Sequence, residues 1–170
     1  APHLDRVLDL VDDPVEWVSA TTHKRVWHHV SNADHARVLV RFAGGCEAQV
    51  IVSDVAPSLR PGLHVLGTTG SLYAEGEPVA DGEAPRAGRH AGPSADVLPG
   101  PPRLVTHDGV RTTFPTPAPT GSEFHRELAD RLVAGWPLAQ YPVASARRLI
   151  SVLEAAKKSA AAGGAQVAPA

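Results

Sequence analysis

The strongest constraint on the fold is a run that alternates. From Asp34 to Phe42, the residues Ala36, Val38, Val40 and Phe42 point one way, while Arg37, Leu39 and Arg41 point the other. Gly44-Gly45 follows, a pair that tolerates positive φ at both central positions of a tight turn. Cys46 to Val55 then alternates again, with Cys46, Ala48, Val50 and Val52 on one face. Two half-buried strands joined by a glycine turn make an antiparallel hairpin. Such a hairpin leaves one face toward water, which argues against an all-parallel sheet.

Other elements fall in line around that hairpin. Apolar positions at Leu4, Val7, Leu8 and Val11 predict a helix over 4–12, ended by Asp12-Asp13-Pro14. Residues 15–27 predict a long strand rich in Val, Thr and Trp. Leu63 to Leu66 and Ser71 to Ala74 predict a further strand pair around Gly67-Thr68-Thr69-Gly70. Residues 76–102 are dense in Pro, Gly and Ala and hold almost no large apolar group, so they read as a surface excursion. Arg103 to Phe114 predicts a hairpin turning at Asp108-Gly109. Pro115, Pro117 and Pro119 make a stiff connector.

Two helices close the domain. Ser122 is placed to cap the first, which carries a stripe of Phe124, Leu128 and Leu132 and ends at Gly135. The second opens near Pro142, presents Ala146, Leu149, Ile150, Leu153 and Ala156 on one face, and stops at Gly163. The sum is an α+β domain over 1–164, a mainly antiparallel open sheet with helices packed on one face. A flexible tail is expected over 165–170.

Composition excludes several partners. A net charge of −2 over 170 residues gives no basic field for nucleic acid or anionic lipid. No apolar run approaches the roughly 20 residues of a membrane span, and cytoplasm is the expected compartment. Cys46 is the single cysteine, so no internal disulfide forms; at the head of a strand it is expected to be a small buried hydrophobe rather than a reactive thiol. The chain has no G-x-G-x-x-G, no Walker loop and no G-x-S-x-G elbow, so it carries no nucleotide fold of its own. It opens with Ala1-Pro2-His3-Leu4-Asp5, straight into a helical stripe, and has no Met. It therefore reads as the back half of something larger.

The densest polar and aromatic cluster is Trp27-His28-His29 followed by Asn32, Asp34 and His35. Trp27 offers a platform for a sugar ring, and His28, Asn32 and His35 can hydrogen-bond hydroxyls. A metal site is the alternative, but adjacent histidines on a continuing strand face opposite ways. His125, beside the Phe124-Leu128-Leu132 stripe, either reaches a cleft or packs at the edge of the core. Arg37 and Arg41 share a strand face, where salt bridging outweighs binding of an acidic substrate. Asp9, Asp12 and Asp13 most simply end a helix. The mixed face of Arg37, Leu39 and Ile51 suits a homo-oligomer contact.

The order of these segments resembles the C-terminal domain of the Gfo/Idh/MocA family, the glucose-fructose oxidoreductase and inositol dehydrogenase group. The resemblance is carried by Pro2 to Leu10, by Asp34 to Val50, by Leu63-His64-Val65-Leu66-Gly67-Thr68-Thr69-Gly70-Ser71-Leu72, and by the closing helices with Val152-Leu153-Glu154-Ala155-Ala156. Thr69 stands where Lys is common. Only Leu4 separates His3 from Asp5, where the family often has two residues.

The resemblance implies a dihydrodipicolinate-reductase-like or glyceraldehyde-3-phosphate-dehydrogenase-like C-terminal domain. It implies NAD or NADP bound by a Rossmann domain outside this chain, none being bound by the chain alone. It also implies hydride transfer on a sugar, polyol or related hydroxy compound, and oligomer contacts through the sheet. His3 matches the family's catalytic His, which can take or give the proton of a substrate hydroxyl; on spacing alone it is a terminal histidine. The rival reading is a non-catalytic oligomerisation or carbohydrate-binding module.

Overall fold

A computed structural model describes residues 2–24, 29, 31–53, 62–74, 101–115, 123–136 and 143–170. The expected strand residues 25–27, most of the 76–102 excursion and the Ser122 cap lie outside the described residues. The chain divides into two compact units, residues 1–56 with 123–170, and residues 57–122. The expected α+β class is found, with the described strands in a three-stranded and a four-stranded antiparallel sheet.

In the first unit, helix α1 (Pro2–Leu10) leads into β1 (Val15–His23), β2 (His35–Phe42) and β3 (Glu47–Ser53), paired in that order. Ala20 lies opposite Val38, and Val38 opposite Val50. The alternation read from the sequence sets the burial. Val18, Val40 and Phe42 are wholly buried, and Ala20 and Val50 join them on one face. Leu4 and Leu8 of α1 and Val152, Ala155 and Ala156 of the long closing helix complete the same core.

The turn between β2 and β3 differs from the expected pair of positive-φ glycines. Only Gly45 is left-handed, at φ 92°, and its N–H reaches Phe42 O at 2.9 Å. At Gly44 a Cβ would lie 2.7 Å from Asp13 Oδ2, the atom that accepts the Gly44 N–H, so a larger residue would push that side chain aside. Cys46 is exposed, not buried as expected, because the strand begins only at Glu47 and leaves it in the turn. Val52, on the expected core face, is 48% exposed.

The helix α2 (Glu123–Ala134) ends as the sequence predicts. Gly135 is left-handed at φ 65°, and Trp136 N–H reaches back to Arg131 O at 2.9 Å, a Schellman stop. Of its expected stripe, Leu132 is 64% exposed and Leu128 half-buried, while the Phe124 side chain lies outside the described residues.

Helix α3 (Val143–Ala161) keeps part of the expected face, with Ala156 buried and Leu149 and Leu153 packed against the core. Ile150 and Ala146 are exposed, while Val152, Ala155, Ala156 and Ser159 are buried. The small side chains let this helix lie close against β1, which hydrophobicity alone does not reveal. Ser159 Oγ accepts the N–H of Ala20 at 2.8 Å and donates to Ala165 O at 2.5 Å. A second Schellman stop closes α3, with Gly163 at φ 69° and Gly164 N–H on Ser159 O at 2.8 Å.

The tail expected to fray is tied down. Val167 and Val18 exchange both backbone hydrogen bonds at 2.9 Å, and Val167 packs on the core. Ser19 Oγ also donates to Gly164 O at 2.7 Å. Over 165–170 half the residues are Ala, with Val167 as the one large apolar residue; the open edge of β1 supplies its partner.

In the second unit, β4 (Leu63–Leu66), β5 (Gly70–Ala74), β6 (Arg103–Thr106) and β7 (Arg111–Thr113) form an antiparallel meander. The 103–114 hairpin turns at Asp108-Gly109 as read from the sequence, with Gly109 at φ 85°. Gly70 is dictated by crowding, since a Cβ there would meet Val105 O at 2.6 Å and Thr106 Cα at 3.0 Å.

Candidate functional site

His3 is the second residue of α1 and is exposed. The helix beneath it is held at both ends. Leu4 and Leu8 are 4% and 5% exposed in the core. At the C-terminal end, Arg148 of α3 donates from Nη1 to Leu8 O at 2.9 Å and from Nη2 to Val11 O at 3.0 Å, and also to Asp13 O. A cation there satisfies carbonyls that lack intrahelical partners and complements the negative end of the helix dipole. His3 is thus presented to solvent from a fixed support.

The other sequence candidates are spread over the molecule. Asn32 is exposed in the bend before β2, and His125 is exposed on α2. Trp27 and His28 lie outside the described residues, and His29 is exposed in a turn. Arg41 takes the salt-bridging role expected of it, with Nη1 2.8 Å from Glu47 Oε1 and Nε 4.0 Å from Glu16 Oε2. Among the described residues, no three His, Cys, Asp or Glu side chains come together to hold a metal ion.

A polar row at the end of the three-stranded sheet is brought together instead. His23 of β1 lies opposite His35 of β2, which lies opposite Ser53 of β3. The two imidazole centroids are 5.9 Å apart with planes 30° to each other. His35 Nδ1 is 3.0 Å from Ser53 Oγ. Asp34, only 4% exposed, precedes the row, and its N–H reaches His23 O at 3.2 Å. By strand alternation these three side chains stand on the sheet face away from Val18, Val40 and Val50. Sequence reasoning included His35 in its cluster but missed His23 and Ser53. The available signal was parity: His23 ends the β1 run with the parity opposite to Val18 and Ala20.

On the helix-bearing face, an open groove of about 420 Å³ is lined by Ala20, Thr22, Val38, Ala156, Lys157 and Ala160 among others. It is mostly methyl-walled and offers few groups to orient a ligand. The described strands pair antiparallel throughout, and a dinucleotide fold needs a parallel βαβ unit with a glycine-rich turn at a helix N-terminus. No helix among the described residues is long and apolar enough to cross a membrane.

Comparison with known proteins gives the chain relatives. Residues 3–73 match the GFO/IDH/MocA C-terminal domain model. No curated protein sequence matches. Among solved structures, YvaA of Bacillus subtilis is similar with a TM-score of 0.72 at 21% identity, over 98% of this chain and 48% of its own. An aldose-aldose oxidoreductase of Caulobacter crescentus complexed with glycerol gives 0.65 at 15% identity, over 98% and 45%. The WlbA dehydrogenase of Bordetella pertussis, in complex with NADH and UDP-GlcNAcA, gives 0.62 at 18% identity, over 100% and 44%. This chain spans less than half of each of these structures, and the likeness to them is one of fold.

Proposed function

We propose that this chain, whose residues 3–73 match the GFO/IDH/MocA C-terminal domain model, forms the substrate side of an NAD(P)-dependent enzyme. The reaction is hydride transfer on a sugar, polyol or related hydroxy compound, in the cytoplasm. The dinucleotide is held by a domain outside these residues. His3 is the acid/base that moves the proton of the reacting hydroxyl; Trp27, His28, Asn32 and His125 are proposed to contact substrate.

The observation that carries this reading is the family match over residues 3–73; the position of His3 in the first turn of a helix anchored by Leu4, Leu8 and Arg148 supports it. The solved structures with NADH and UDP-GlcNAcA, and with glycerol, support the substrate class. The outer sheet face, where Trp17, Leu39 and Ile51 are half-buried beside the Arg41 ion pairs, is proposed as the contact between copies of the chain.

The test is a coupled assay on the full natural polypeptide, reading NAD(P)H formation over a panel of aldoses, polyols and nucleotide sugars. Turnover on one of these classes is expected. His3→Ala is expected to lower kcat by about 10²- to 10⁴-fold. Absence of NAD(P)H binding by the full polypeptide would overturn the enzyme reading. Turnover unaffected by His3→Ala would remove the acid/base role and shift the weight to a scaffold or binding module.

A further inference from the structure

We propose that His23 and His35 form a binding site for a divalent transition-metal ion of the zinc type on the outer face of the three-stranded sheet. The two residues are direct cross-strand partners, so the ladder fixes their backbones side by side. Their ring centroids are 5.9 Å apart. Two imidazoles on one tetrahedral ion, with metal–nitrogen bonds of about 2.0–2.1 Å, have centroids about 5 Å apart. His23 is exposed, so its side chain has room to turn toward that spacing.

The surroundings suit a ligand pair. His35 Nδ1 lies 3.0 Å from Ser53 Oγ. With the proton on Nδ1 donated to that oxygen, Nε2 keeps the lone pair a metal needs. Ligating histidines are regularly oriented this way through their second nitrogen. The bond from Asp34 N–H to His23 O continues the β1–β2 pairing past the two histidines and holds the strand end in place. Among the described residues no third imidazole, thiolate or carboxylate joins them. With water in the remaining positions, this is an exchangeable binding site at the His23–His35–Ser53 end of the sheet, past the Trp17, Leu39 and Ile51 stretch proposed as the contact between copies. The proposal does not depend on the oxidoreductase reading.

The test is calorimetric titration of the full chain with zinc chloride, paired with NMR of the imidazole protons. One zinc ion per chain is expected, with resonances of His23 and His35 shifting ahead of those of the other histidines. His23→Gln and His35→Gln should each abolish that binding, and Ser53→Ala should weaken it about tenfold. Failure of the unaltered chain to bind zinc would overturn the site. So would full affinity retained in both histidine variants, or shifts confined to other histidines. The NMR arm decides the matter on the unaltered chain even where a variant does not fold.

Discussion

Ser159 Oγ accepts the backbone N–H of Ala20 at 2.8 Å, joining two residues 139 positions apart inside the core. The hydroxyl is wholly buried and also donates to Ala165 O. Ser159→Ala leaves both backbone groups without this partner, and burying an unsatisfied polar group costs about 1–3 kcal/mol. Urea unfolding should show that loss with an unchanged m-value. A variant as stable as the parent would mean that the tail and β1 pair without help from this hydroxyl.

The same serine shows where sequence reading stops. Alternation from Asp34 to Phe42 predicted strand, face and partner correctly, because a period of two maps directly onto the side a residue faces. Glycine stops at Gly135 and Gly163 were equally legible, since each sits at the left-handed position of a helix end. The face of α3 was legible in part: Leu149, Leu153 and Ala156 do meet the core. Apolar character also favoured Ile150, yet close packing against β1 selected Ala155 and Ser159. His23 and Ser53 join His35 only through the strand register, which no local pattern carries. His3 was identified from family likeness; the arrangement of Arg148 beneath its helix required coordinates.

Arg148 is expected to act on α1 as a whole. Its guanidinium is the shared donor to Leu8 O, Val11 O and Asp13 O. Hydrogen bonds to charged groups contribute about 1.5–3 kcal/mol, so Arg148→Met, which keeps most of the stem, should destabilise by about 2 kcal/mol. Arg148→Lys should recover only part of it, because an ammonium lacks the planar fork. Hydrogen exchange over residues 4–11 should rise in both variants. Unchanged protection there would show that Leu4 and Leu8 alone hold the helix.

Gly70 and Gly109 should respond differently to the same side chains. At Gly70 any Cβ runs into the backbone of β6, and overpacking of this kind costs about 1–3 kcal/mol. Gly109 has open space but a φ of 85°. There Ala should cost about 1–2 kcal/mol for the left-handed backbone, and Asn much less. Thermal melts of the four variants check this: Gly109→Asn should stay near the parent while Gly70→Asn falls furthest. If Asn rescued both sites equally, backbone conformation and not crowding would be the reason for glycine at 70.

Asp108 gives the meander a dependence on pH. The Thr106 hydroxyl, first, and the N–H groups of Val110 and of Asp108 itself hold the carboxyl below its ordinary value of 3.8. A carboxylate depressed in the folded state adds stability that is present above its unfolded value and is lost as pH falls through the folded one. The melting temperature of the parent should therefore exceed that of Asp108→Asn at neutral pH, with the gap narrowing below about pH 4. Thr106→Val should narrow it in the same direction, by removing the hydroxyl that contributes most. Because the carboxyl is solvent-exposed, the gap should be small and should shrink as salt is added. A gap that stays constant from pH 7 to pH 3 would mean that the asparagine acts through turn geometry and that ionisation of Asp108 contributes nothing to the hairpin.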